Sequence, residues 1–150
     1  MNIVPFTKQG FDNLKKELES LTQKRPDAVK TLSRARDMGD LSENGLYKAA
    51  KQELVDLDRQ IRNFKYLIKS AKVFIPTDNE TVQIGHKVIV SINGNQKDFF
   101  IVGEHEANPT EHKISNKSPI GFALMGRKKG DNVDIKTPNG FLSYKILSIE

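Results

Sequence analysis

Three carboxylates stand close together in the segment Arg36-Asp37-Met38-Gly39-Asp40-Leu41-Ser42-Glu43-Asn44. Ionised carboxylates are hard oxygen donors of the kind Mg2+ prefers, yet that ion keeps several waters, and two exposed acids alone hold it poorly. The pattern therefore argues against an autonomous metal nuclease. Asp40-x-x-Glu43 also fits a capping box, with Asp40 as N-cap and Glu43 at the third helical position of a following helix. The two roles are compatible, because a cap that fixes the carboxylates in space would preorganise them for an ion. Asp37 reads as a solvated residue ending the preceding helix.

The acids lie between two heptad-patterned runs. Phe11, Leu14, Leu18 and Leu21, then Ala28, Leu32 and Ala35, recur at alternating spacings of three and four, with Arg25 in the slot between. Tyr47, Ala50, Leu54, Leu57, Ile61, Phe64, Ile68 and Ala71 repeat the rule. A short connection between two such helices forces them antiparallel, so residues 1–75 are expected to form a coiled-coil hairpin with an acidic tip. At 1.5 Å per residue its helices span roughly 40 Å, long enough to reach into a partner. Thr7 is placed to N-cap the first helix, and Pro26 is expected to kink or restart it.

Composition narrows the class. The chain has 150 residues and no cysteine, which excludes disulfides, thiol nucleophiles and thiolate metal sites. No apolar run approaches a membrane span and no signal segment is apparent, so the expectation is a cytoplasmic protein without a membrane partner. Residues 1–75 hold 15 Lys and Arg against 10 Asp and Glu, whereas residues 76–150 hold 9 of each. All the excess positive charge therefore lies on the hairpin half. It is either a solvated coiled-coil surface, or a face in which Lys24, Arg25, Lys30, Arg34, Arg36, Lys48 and Lys51 meet a polyanion such as nucleic acid.

Near Pro76-Thr77-Asp78-Asn79-Glu80 the heptads stop and period-two alternation begins, which sets a boundary between domains 1–75 and 76–150. Val88, Val90 and Ile92 alternate, Asn93-Gly94 supplies a hairpin turn, and Asp98 to Val102 make the return strand. Ser118 caps a short helix with Pro119 in its first position and Gly126 past its end. Val133 and Ile135 begin a further strand, Pro138-Asn139-Gly140 turns, and Phe141 to Ile149 close the domain. The whole chain reads as α+β, with mostly antiparallel strands in the second domain. His86, His105 and His112 are scattered over loops and strand ends, so they read as ordinary surface residues rather than a metal site.

Several stretches, taken in order, resemble the GreA/GreB family of bacterial transcript-cleavage factors, nearer its GreA than its GreB branch. They are Pro5-Phe6-Thr7-Lys8-Gln9-Gly10-Phe11, Arg25-Pro26, Gly39-Asp40-Leu41-Ser42-Glu43-Asn44, Tyr47-Lys48-Ala49-Ala50-Lys51, Ile101-Val102-Gly103-Glu104 with Glu106-Ala107, Ile114-Ser115, Ser118-Pro119-Ile120-Gly121, and Gly130-Asp131. The resemblance implies a coiled-coil hairpin joined to an FKBP-like, antiparallel-sheet domain. It implies docking of that second domain on RNA polymerase, with Ser118, Pro119, Ile120 and Gly121 in the docking region and the hairpin in the secondary channel. It also implies that Asp40 and Glu43 share an Mg2+ ion of the polymerase, stimulating cleavage of backtracked RNA at its 3′ end. Asn44 and Tyr47 would orient the tip, and Arg34, Arg36, Lys48 and Lys51 would face nucleic acid or polymerase. On this reading the protein is a monomeric cofactor of another enzyme, with no stably bound cofactor of its own and no prolyl isomerase activity.

Departures from the family pattern are Gly45-Leu46 where Ala-Glu is common, Lys117 before the Ser-Pro pair, and Phe122 where a basic residue is common. Two other readings stay open: a secondary-channel regulator that inhibits or retunes polymerase without cleavage, and a stand-alone coiled-coil adaptor or nucleic-acid-binding protein.

Overall fold

The structure, a computed structural model, describes residues 2–39 and 44–150. The heptads become two helices, α1 over Lys8–Arg36 and α2 over Gly45–Ser70. Burial follows the seam: Leu14, Ala35, Ala50, Leu57 and Ile61 are buried, while most of the remaining apolar seam positions are half-buried and their charged neighbours exposed. Thr7 caps α1, its Oγ1 accepting from the Gly10 N–H at 3.0 Å. The helix runs unbroken through Pro26, so no restart occurs there. Proline costs α1 a single donor, the one that would meet the Thr22 carbonyl, and the long helix absorbs that loss.

Arg25 fills a seam slot with charge instead of apolar bulk. Its Nε donates to Asp58 Oδ1 at 2.7 Å and its Nη2 to Asp58 Oδ2 at 3.3 Å, a bidentate bridge from α1 to α2. Both side chains remain substantially exposed, so the pair specifies register more than it adds stability.

In space the chain divides differently from the sequence boundary at residue 76. One unit is Asp12–Ser70; the other is Met1–Phe11 together with Ala71–Glu150. Two three-residue strands account for the difference. Strand β1, Val4–Phe6, pairs in parallel with β2, Ala71–Val73, and draws the N-terminal residues into the second unit.

That unit is built on a five-stranded sheet of β3 (Lys87–Ile92), β4 (Asn95–Val102), β5 (Lys113–Ser115), β6 (Asn132–Thr137) and β7 (Gly140–Ile149), in spatial order β5-β4-β3-β7-β6. The β3–β4 turn has Asn93 and Gly94 both at positive φ, +51° and +80°, as a two-residue hairpin that follows strand twist requires. β5 runs parallel to β4, so the sheet is mixed and not wholly antiparallel. Alternation on β3 buries Val88, Val90 and Ile92. These meet Ile101 of β4, Val133 and Ile135 of β6, Tyr144 and Ile146 of β7, and Leu124 of a short helix α3, Pro119–Leu124. Each fully buried aliphatic side chain here contributes about 1.5–3 kcal/mol.

The Arg25 bridge makes a test of the hairpin register. Its hydrogen bond to Asp58 is the main reason that carboxyl sits below its usual value, and the same bond raises Arg25. A carboxylate lowered in the folded state stabilises fully above its unfolded pKa of about 3.9, and the gain is lost as pH falls through the lower folded value. The difference in urea midpoint between wild type and Asp58→Asn should therefore hold steady from neutral pH to about 5 and shrink below about 4. A difference that does not change with pH would remove the ion pair as its source.

Candidate functional site

The closed end of the hairpin is set by its helix termini. At the end of α1 the Asp37 N–H donates to Ser33 O at 3.1 Å and the Met38 N–H to Ala35 O at 3.3 Å, a tightened last turn. Gly39 follows at φ +122°, a conformation costly to any residue with a Cβ. α2 then begins at Gly45 under a cap made by Asn44: Oδ1 accepts from the Tyr47 N–H at 3.0 Å, and the Asn44 carbonyl accepts from the Lys48 N–H at 3.2 Å. The N-cap of α2 is thus Asn44, where the capping-box reading had Asp40. Asn44 does a second thing as well, for its Nδ2 donates to Ala35 O in the last turn of α1 at 2.7 Å. One amide side chain ties the end of one helix to the start of the next, and each such bond is worth about 0.5–1.5 kcal/mol net.

Asp40 and Glu43, the expected metal-binding acids, lie outside the described residues, as do Leu41 and Ser42. The positions flanking them are described. Tyr47 sits half-buried in the first turn of α2, and Arg34, Arg36, Lys48 and Lys51 are exposed and form no ion pair among the described residues. Met38 and Leu46 are also exposed, 67% and 61%, and with Thr31, Arg34, Ala35 and Ala49 they line a shallow groove beside the tip. Sequence reading noted Leu46 only as a departure from the family pattern and gave Met38 no role; that both are apolar yet fall off the heptad register is the signal that would have found them.

The second candidate stretch resolves into unlike parts. Ser118 Oγ accepts from the Gly121 N–H at 3.1 Å and donates to Ser115 O at 2.7 Å, so it caps α3 and anchors it. Gly121 is buried; a Cβ there would lie 2.0 Å from Ser115 O. Ile120 packs against the core, and of the four only Pro119 is exposed. Next to them Phe122 is 75% exposed.

His86 corrects an expectation. It is buried at 1% exposure, not a surface residue. Its Nδ1 accepts from the Gln83 N–H at 2.9 Å and its Nε2 faces Asn79 Oδ1 at 3.1 Å, which assigns the ring proton to Nε2 and gives the histidine a structural role in the loop before β3. His105 stacks on Phe6, and exposed His112 bonds Asp98, whose carboxyl it holds below the usual range. No group of three or more metal-ligating side chains occurs among the described residues. Nor is any helix among them long and apolar enough to cross a membrane.

Comparison with known proteins agrees over both halves. Residues 4–73 match the family signature described as "Transcription elongation factor, N-terminal", and residues 77–150 match "Transcription elongation factor, GreA/GreB, C-term". The chain is 43% identical to the transcription elongation factor GreA of Macrococcus caseolyticus, with 91% of this chain and 89% of the relative covered. It is 36% identical to that of Thermomicrobium roseum, covering 98% and 97%. Among solved structures, the GreA factor homolog 1 (Gfh1) protein of Thermus thermophilus is 27% identical with a TM-score of 0.47, covering 99% of each chain.

The double role of Asn44 separates by substitution. Asn44→Ala should speed amide exchange at Tyr47 and lower hairpin stability by about 1–2 kcal/mol, the usual cost of a lost cap plus one lost hydrogen bond to the Ala35 carbonyl, which keeps the Met38 N–H. Asn44→Asp keeps the acceptor for Tyr47 but has no donor for Ala35, so it should protect the Tyr47 amide while still losing part of that stability. Asn44→Asp as stable as wild type would mean that the bond to Ala35 contributes nothing, and equal behaviour of the two variants would mean the same of the cap on Tyr47.

Proposed function

The chain belongs to the GreA/GreB family of transcription elongation factors, and from that premise we propose that it acts on RNA polymerase through the secondary channel, stimulating Mg2+-dependent cleavage of backtracked RNA. The observation that supports the proposal is the Asn44 side chain, which joins the end of α1 to the start of α2 across the segment in which the sequence has Asp40 and Glu43. Carboxylates that must act at a distant reaction centre need such a fixed base, since placement within about 0.5 Å governs whether a site works.

In this reading the chain has no catalytic power of its own. The donor set fits Mg2+: two hard carboxylates, with the remaining oxygen ligands supplied by the polymerase. A second bound ion would lower the pKa of the attacking water and neutralise charge at the phosphodiester. Asp40 and Glu43 would hold it, and Asn44 and Tyr47 would keep the connection oriented. Arg34, Arg36, Lys48 and Lys51, unpaired among the described residues, face the phosphates of the RNA. Pro119 and Phe122 supply the exposed surface near the docking stretch, while Ser118, Ile120 and Gly121 shape the short helix beneath it.

Stalled, backtracked elongation complexes with Mg2+ give the test. Wild type should cut the RNA internally only when polymerase is present, and Asp40→Ala or Glu43→Ala should lower the rate at least about 100-fold, with binding retained. Binding without cutting by wild type would transfer the assignment to an inhibitory regulator of the channel, and cutting that survives both substitutions would sink the proposed role of the acids.

A further inference from the structure

Two family-like stretches nearly a hundred residues apart, one around Thr7 and Gly10 and the other around Glu106, meet in the structure. The Thr7 N–H donates to Glu106 Oε2 at 2.8 Å, and Thr7 Oγ1 donates to Glu106 Oε1. The same hydroxyl accepts from Gly10, so a relay runs from the Gly10 amide through the hydroxyl to the carboxylate. In an ordinary capping box, a Glu at the third helical position reaches back to the N–H of the cap residue. Here that third position is Gly10, and Glu106 performs the role from elsewhere in the chain. A Cβ on Gly10 would lie 1.9 Å from Glu106 Oε1, so glycine leaves the room the visiting carboxylate takes. The first turn of α1 carries no acid of its own, and Glu106 supplies the negative charge that a helix N-terminus favours.

The turn that presents Glu106 is itself fastened to β1. The Glu106 N–H donates to Gly103 O at 3.0 Å; a Cβ on Gly103 would fall 1.9 Å from Pro5 O; and His105 stacks on buried Phe6 with ring centroids 6.0 Å apart. Resting on the cleavage function above, we propose that Glu106 is a positioning residue: it fixes the first turn of α1, the helix that leads to the acidic connection, and through that turn supports the action of the carboxylates in cleavage. Misplacement of about 1 Å at a reacting centre costs up to 100-fold in rate.

The experiment uses the full chain as wild type, Glu106→Ala, Gly10→Ala and Glu106→Gln. It reads amide exchange at Thr7 and Gly10 in the free protein, binding to polymerase, and the cleavage rate at saturating factor. Gly10→Ala adds helix propensity, so any loss it causes is not a failure to form α1. Glu106→Ala and Gly10→Ala should speed exchange at both amides about tenfold and lower the saturated rate about tenfold, with Kd changed less than about threefold. Glu106→Gln, whose amide accepts from the Thr7 N–H and donates to Thr7 Oγ1, should restore most of the rate. Unchanged exchange in Glu106→Ala would overturn the clamp. Faster exchange with an unchanged rate, or binding that falls in step with the rate, would overturn the positioning role. Wild type that fails to stimulate cleavage would defeat the functional reading instead, and the exchange arm would still report on the clamp.

Discussion

Parallel pairing of Val4–Phe6 with Ala71–Val73 constrains the N-terminal half more than any other contact. Parallel neighbours cannot be joined by a tight turn; the chain must leave one strand and come back to begin the next in the same direction. In most folds a single helix makes that return. Here the return is the whole helical hairpin, so α1 and α2 must match in length closely enough to bring the chain back to its starting pair. They do, with 29 and 26 residues. The apolar seam, the Arg25–Asp58 bridge and the Asn44 link are devices that hold those two lengths in register.

The two helix starts show the same chemistry in two arrangements. At α2 the cap is local: Asn44 serves the amide three residues on and reaches one carbonyl of the helix before it. At α1 the cap is shared, because Thr7 serves Gly10 while its own N–H and hydroxyl are served by Glu106. The local arrangement shapes the tip. The shared one makes the beginning of α1 a component of the sheet-containing unit, which is why residues up to Phe11 group with it.

What could be read from the sequence follows from how many residues repeat a pattern. Heptads over more than twenty residues, and alternation closed by Asn93-Gly94 or Pro138-Asn139-Gly140, leave little freedom, and the long helices and the strands β3, β4, β6 and β7 emerged where the spacing put them. Three-residue strands carry no period, so β1, β2 and β5 were missed, and with β5 the mixed character of the sheet. The cap of α2 was misplaced because Asp40 and Asn44 are both good cap residues and the pattern alone does not choose between them. His86 looked like a surface residue because nothing beside it in sequence announces that Gln83 and Asn79 will satisfy its ring. Gly10 and Glu106 stood out within their motifs, but a glycine that makes room for a carboxylate is visible only when the two are brought together.

The shared cap also bears on the order in which the chain acquires structure. As synthesis proceeds from the N-terminus, β1 has no strand to pair with until β2 has been made, and the Thr7 amide has no acceptor until residue 106 has emerged, 99 positions later. Long-separation contacts of this kind form late, because loop-closure entropy must be met before they stabilise anything. The hairpin, whose contacts join helices across a short connection, can therefore assemble while its root is still unfastened. The contact of Thr7 with Glu106 at that root is completed only after the greater part of the polypeptide exists.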